Sequence, residues 1–203
     1  MTTSPPGCRP ETPKDQKPRL RADAQRNRDR LAAVAAEAFS ENGSGASLED
    51  IARRAGVGIG TLYRHFPTRE HLVEVVYRRE LELLSIAADE LSHREASDKA
   101  LEEWMHRFVS YMATKRGMAS SLKLLVTSNS CMFTDGAALL RNALNDLLQK
   151  AVADGTVRSD METEDVLHAL SSIYSIPDTP EWRKRAHRLI DLLMDGLRRP
   201  KLG

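Results

Sequence analysis

SLEDIARRAGVGIGTLYRHF, residues 47–66, is the stretch that decides the fold of this chain. Ser47 is an N-cap residue with an acid, Asp50, three positions on, an approximate capping box for a short helix. Ile51, Ala52 and Ala55 give that helix an apolar edge with small residues, across which a second helix can pass closely. Gly56 falls where the chain must reverse, a place for a positive φ that only glycine adopts cheaply. Val57 plugs the corner, and residues 58–65 predict a second short helix with Leu62 turned inward. Thr61, Tyr63, Arg64 and His65 then face outward with hydroxyl, phenol, guanidinium and imidazole groups, which suit phosphates and base edges. Small residue, glycine, apolar plug and inward leucine at these spacings are the pattern of a DNA-reading helix-turn-helix. An ordinary helical hairpin that contains a glycine is the plain alternative, and the coincidence of exposed donors weighs against it.

The run Thr61-Leu62-Tyr63-Arg64-His65-Phe66-Pro67-Thr68-Arg69-Glu70 resembles the recognition helix of TetR-family transcriptional regulators and the start of the helix that follows it. The likeness extends upstream to Arg28 and downstream to about Leu84. Gly58 departs from the pattern, because the Ser or Thr that often caps the recognition helix is missing. The resemblance implies an all-α protein with an N-terminal three-helix reading domain and a C-terminal helical domain for ligand binding and dimerisation. DNA contact is then expected from Ser47, Gly58, Ile59, Gly60, Thr61, Tyr63, Arg64, His65, Thr68 and Arg69. Gly60 would let the backbone approach the duplex closely, while Ser47, Thr68 and Arg69 would hold phosphates.

With 203 residues the chain has room for one large or two modest domains with a real core. Hydrophobic residues make up 41% and charged residues 29%, an ordinary soluble balance. No apolar run approaches the roughly 20 residues that cross a bilayer, and there is no signal-peptide core. Cys8 and Cys131 do not make a disulfide framework, so a reduced, cytoplasmic protein with no membrane partner is expected. Net charge is only +1, but it is uneven. Residues 1–70 hold twelve Lys and Arg against nine Asp and Glu, and the remainder holds eighteen against twenty. A basic end that meets phosphate and a neutral body that does not would look like this.

Residues 1–20 are rich in Pro, Thr and charge and predict a disordered basic tail, either an arm along DNA or simply solvated. Residues 21–67 form the expected reading domain. A helix from about Ala24 to Glu41 supports the helix-turn-helix through Leu31, Val34, Ala35, Ala38 and Phe39. Residues 68–203 form the expected regulatory and dimerisation domain. Thr68 caps a long helix to about Ser92, with Leu72, Val75, Val76, Leu83, Leu84 and Ala87 inward, and the resemblance makes it the link between head and body. Helical patterning continues to the end, with Ser97, Thr134 and Thr163 read as caps and Thr179-Pro180 opening the last helix.

Trp104, Met105, Phe108, Tyr111, Met112, Met118, Leu122 and Phe133 concentrate rings and sulfur in the middle helices, with Cys131 nearby. They are either plain core or, as the resemblance implies, the lining of a pocket for an apolar or aromatic effector of unknown identity. Val166, Leu170, Ile173, Trp182, Ala186, Leu189, Ile190, Leu193 and Leu197 form wide apolar stripes on the last two helices. Either one subunit consumes them, or a second copy covers them in a four-helix bundle. The resemblance implies the second. His71, His93, His106, His168 and His187 are scattered without metal-ligand spacing, and neither a phosphate loop nor a nucleophile elbow is present. No cofactor, no metal and no catalysis are expected. The expected function is ligand-responsive repression: a homodimer binds a palindromic double-stranded operator, and the effector releases it. A non-specific DNA-organising protein, and an enzyme or ligand carrier on a helical fold, are the alternatives.

Overall fold

The computed structural model describes residues 13–128 and 130–199, with side chains placed for 22–126 and 132–199. Among the described residues the architecture is all helical: α1 (Pro13–Asn42), α2 (Leu48–Arg54), α3 (Ile59–His65), α4 (Arg69–Arg94), α5 (Ser97–Gly117), α6 (Ala119–Ser128), α7 (Ser130–Ala153), α8 (Thr163–Ser171) and α9 (Trp182–Leu197). Single 3-10 turns follow α1 and α8. The expected tail lies outside the described residues as far as residue 12. From Pro13 onward the backbone is already helical, so α1 starts well before the Ala24 read from the sequence.

α4 is the spine. It packs along α5 and α7, touches α6, and near its start meets α1. Its inward line runs through Leu72, Val73, Val76, Tyr77, Leu81, Leu84, Ala88 and Leu91. Leu83, expected inside, is exposed, because the helical period places it off that line. Trp104 of α5 donates its indole N–H to the Leu84 carbonyl of α4 at 2.8 Å, locking the two helices in register.

Several helix starts differ from the hydroxyl caps read in the sequence. Thr134 lies inside α7. Ser97 makes no cap bond, and its Oγ instead lies 3.2 Å from Thr156 Oγ1. Thr163 is the first residue of α8, which Glu162 and Asp165 close with a reciprocal capping box. α9 begins at Trp182, whose N–H donates to the Thr179 carbonyl at 2.9 Å. The Ser97 and Thr163 hydroxyls had the right residue type, but tertiary partners, Thr156 and Asn145, took them.

Head and body meet at one crowded joint. Gly117 at the end of α5 lies against the last turn of α1 so closely that a Cβ there would stand 1.9 Å from the Phe39 carbonyl oxygen. From α9, Arg183 reaches Ser40 of α1, donating to its carbonyl at 2.9 Å and its hydroxyl at 2.6 Å. Arg116 and Arg183 both lie over the Trp182 ring, at 5.0 and 5.6 Å from its centroid. Arg116 also donates to the Tyr174 and Ile176 carbonyls, which fixes the loop before α9 to the end of α5.

Candidate nucleic-acid interface and effector region

The reading head is built as the local sequence dictates. Ser47 Oγ accepts from the Asp50 N–H at 3.0 Å and starts α2. Gly56 adopts φ +67°, and the turn closes with the Val57 N–H on the Ala52 carbonyl at 3.0 Å. Gly58 precedes α3 with no side-chain cap. Packing outweighs that loss. A glycine cap gives up only a few tenths of a kcal/mol, whereas burying one leucine is worth about 1.5–3 kcal/mol. Leu62 is 0% exposed and shares a buried cluster with Leu31, Phe39, Ile51 and Phe66. Ser47→Ala should lower stability by about 1 kcal/mol in urea unfolding, through the lost cap on α2.

With Leu62 buried, the opposite face of α3 is free. Ile59 and Tyr63, one turn apart, are 38% and 46% exposed. Gly60 and Arg64, the adjacent row, are also exposed, while Thr61 and His65 are partly buried. Tyr63 and Arg64 therefore project as expected. The His65 ring leans on Phe66, at 6.3 Å between centroids. Arg28 of α1 caps this end by donating to the His65 carbonyl at 3.4 Å and lying over Phe66.

Thr68 Oγ1 accepts from the His71 N–H at 3.1 Å to start α4. Both Ser47 and Thr68 are exposed and keep their own hydroxyl hydrogens for a phosphate oxygen. Arg69 is also engaged within the protein. Its guanidinium donates to the Ala46 carbonyl at 2.6 Å and stacks on Phe39 at 5.1 Å, so it ties α4 to the turn before α2.

The residues read as a possible effector lining are brought together. Ring centroids step from Trp104 to Phe108 at 6.1 Å and Phe108 to Tyr111 at 5.6 Å. They continue from Tyr111 to Tyr77 at 6.4 Å and Tyr77 to Phe133 at 5.3 Å. Met105, Met112, Met118 and Leu122 are buried in the same cluster. The Cys131 side chain lies outside the described residues. Tyr77 was missed from sequence although it sits on the inward line of α4. So was Lys115, a charged residue one turn beyond Tyr111, half-buried with its ammonium 5.8 Å from the Tyr111 ring centroid. Burial pushes the Lys115 pKa down and the Tyr111 phenol up, the latter reinforced by Tyr77 and Glu80. The Tyr111 hydroxyl is buried without a hydrogen-bond partner, an arrangement that costs about 1–3 kcal/mol.

The stripe assigned to a partner faces the other way. Val166, Leu170, Ile173, Trp182, Ala186, Ile190 and Leu197 are all buried inside their own subunit, against α5, α7 and one another. Among the residues named, only Leu189 and Leu193 keep open surface. Leu192, not read from the sequence, is 67% exposed. These leucines line an apolar groove of about 380 Å³ with Ala169, Ser172 and Gly196, between α8 and α9.

His106 and His187, far apart in sequence, meet between α5 and α9 with their Nδ1 atoms 2.8 Å apart, so the two share one hydrogen bond. His106 Nε2 lies 3.3 Å from Asp191 Oδ1. Burial, then the neighbouring His106, holds the His187 pKa down. Among the described residues no group of three or more His, Cys, Asp or Glu gathers into a metal site. No helix among them is long and apolar enough to cross a membrane.

A short reading helix held out from a helical body is the make-up of a helix-turn-helix regulator. The profile for "Bacterial regulatory proteins, tetR family" matches residues 31–76, and that for "Transcriptional regulator SbtR-like, C-terminal domain" matches residues 96–199. A TetR transcriptional regulator from Streptomyces coelicolor superposes with a TM-score of 0.76 at 43% identity, covering 84% of this chain and 98% of its own. One from Mycobacterium vanbaalenii superposes with a TM-score of 0.70 at 33% identity, covering 89% and 99%. HTH-type transcriptional regulators of Staphylococcus aureus are 40% identical over 65 residues, 32% of this chain; the chain spans only about a third of their length, 35%. The chain belongs to the TetR family of bacterial transcriptional regulators, a DNA-binding and non-enzymatic family.

Proposed function

We propose that this protein is a cytoplasmic, ligand-responsive repressor that binds a palindromic operator as a homodimer, one α3 in each half-site. The observation that carries this reading is the outward face of α3. Ile59, Gly60, Tyr63 and Arg64 stand open beside buried Leu62, on a helix short enough to lie in a major groove. Arg64 is suited to a guanine edge, Ile59 to a thymine methyl, and Tyr63, Ser47 and Thr68 to phosphates. An effector held among the rings of α4, α5 and α7 would favour one tilt of α4 over another. The spacing of the two heads would change with that tilt. The joint at Gly117 and Arg183 supplies a second rigid contact through which the body sets the head's position.

The homodimer would form through the outward leucines of α8 and α9, with Ala169, Ser172 and Gly196 allowing close approach. Leu192→Glu is expected to leave thermal stability within about 0.5 kcal/mol of wild type, since the side chain is solvent-facing in one subunit. In sedimentation the same variant should turn a dimer into a monomer. Selection of bound sequences from a random DNA pool tests the whole reading. Recovery of an inverted repeat supports it, and retention of DNA without a shared sequence points to a non-specific DNA-organising protein instead.

A further inference from the structure

The body contains a donor and a cation with no acceptor to match them. Tyr111, only 3% exposed, has a hydroxyl with no partner at close hydrogen-bond distance, its polar neighbour being the equally buried Tyr77 phenol. One turn along the same face of α5, Lys115 is half-buried beside the Tyr111 ring and pairs with no carboxylate among the described residues. The acid of this region that touches Tyr111 electrostatically is Glu80, and it already has its cation, Arg79 at 3.3 Å. Around the two groups the surfaces are apolar, from Phe108, Met112 and Phe133, apart from the Tyr77 phenol. A neutral planar ligand would satisfy the hydroxyl but leave the ammonium desolvated. A cationic ligand would be repelled by Lys115. Only an anionic group answers both.

We propose that the effector is an apolar or aromatic carboxylic acid, its carboxylate held by the Lys115 ammonium and the Tyr111 hydroxyl and its body laid against the α4–α5–α7 rings. This rests on the reading of an effector site in the body and specifies the chemical class that the site accepts. The unmatched pair is a standing cost of the ligand-free protein, which the acid relieves on binding.

The test uses the full-length protein and three matched probe pairs: decanoic acid and methyl decanoate, 4-phenylbutanoic acid and its methyl ester, and indole-3-acetic acid and its methyl ester. Melting temperature and release of a selected DNA site are followed for wild type, Tyr111→Phe and Lys115→Met. At least one acid should raise the wild-type melting temperature by about 3 °C or more beyond its ester. Lys115→Met, which keeps the stem and removes the charge, should weaken that acid at least tenfold and leave the ester unchanged. Tyr111→Phe should raise the melting temperature of the ligand-free protein, because it deletes an unpaired hydroxyl and leaves no cavity. Acids and esters that act equally overturn the acid assignment, although release of DNA by both would still support an effector site. Acids that bind Lys115→Met as they bind wild type, or no shift from any probe, overturn it too. So does a Tyr111→Phe variant that melts lower than wild type. Gel shifts of the ligand-free variants report separately whether the DNA-binding reading holds.

Discussion

Gly117→Ala is expected to unseat the reading head from the body. The added Cβ would lie 1.9 Å from the Phe39 carbonyl oxygen, 2.7 Å from the Phe39 carbonyl carbon and 3.2 Å from Gly43 Cα. All three are backbone atoms, so no rotamer change relieves the clash, and the last turn of α1 must move away from α5. Two effects oppose each other. Alanine in a helix is favoured over glycine by about 1 kcal/mol, whereas overpacking against fixed backbone costs about 3 kcal/mol or more. The clash wins, and a net loss of about 2 kcal/mol or more should appear in urea unfolding. Because α1 carries the head and Arg183 is anchored on its Ser40, DNA affinity should fall together with stability. Gly136→Ala is the matched control. There the new Cβ would meet the Leu81 Cδ1 at 2.6 Å and the Tyr77 hydroxyl at 3.0 Å, both side-chain ends that can yield, so the loss should be smaller.

Tyr63→Ala and Arg64→Ala are expected to weaken DNA binding without disturbing the fold. Both side chains are exposed, and neither belongs to the buried cluster around Leu62. Unfolding free energy should therefore stay within about 0.5 kcal/mol of wild type. Tyr63→Ala should weaken all sequences alike, as loss of a phosphate contact does. Arg64→Ala should cost about 1–3 kcal/mol and relax preference at one position of each half-site. With both half-sites affected, each variant should bind the dimer's operator about thirtyfold or more weakly, and the double variant more weakly still. Gel shifts over the selected operator and its single-base variants separate the two roles. Gly60→Ala makes a useful third case, because a Cβ there meets nothing within 4 Å in the protein. It should fold at least as stably as wild type and still bind DNA less tightly.

The head was legible because its determinants are local. Ser47, Gly56, Leu62 and Thr68 act over three or four residues, so their order in the chain already contains the geometry. The structural role of Arg69 was not legible for the opposite reason: its partners, Ala46 and Phe39, come from distant turns. The aromatic cluster was visible as composition on α5, but its completion by Tyr77 and Phe133 needed the packing of α4 against α7. On α9 the sequence offered two apolar rows, and periodicity cannot say which one a subunit keeps. The body took Trp182, Ala186, Ile190 and Leu197, leaving Leu189, Leu192 and Leu193 outward. Helix starts at Ser97, Thr134 and Thr163 failed where a hydroxyl found another partner or the helix simply began earlier. The His106–His187 contact joins α5 to α9 and leaves no local trace in the sequence.

That α3 lies in the duplex groove, once in each half of a symmetric site, is tested most directly by cross-linking from Tyr63. A photoreactive phenylalanine analogue placed at that position and irradiated on the selected operator should attach at two symmetry-related places. They should lie about 10 base pairs apart, or a multiple of that spacing. Attachment at one place only, at positions spread along the duplex, or to the protein itself and not to DNA would contradict it.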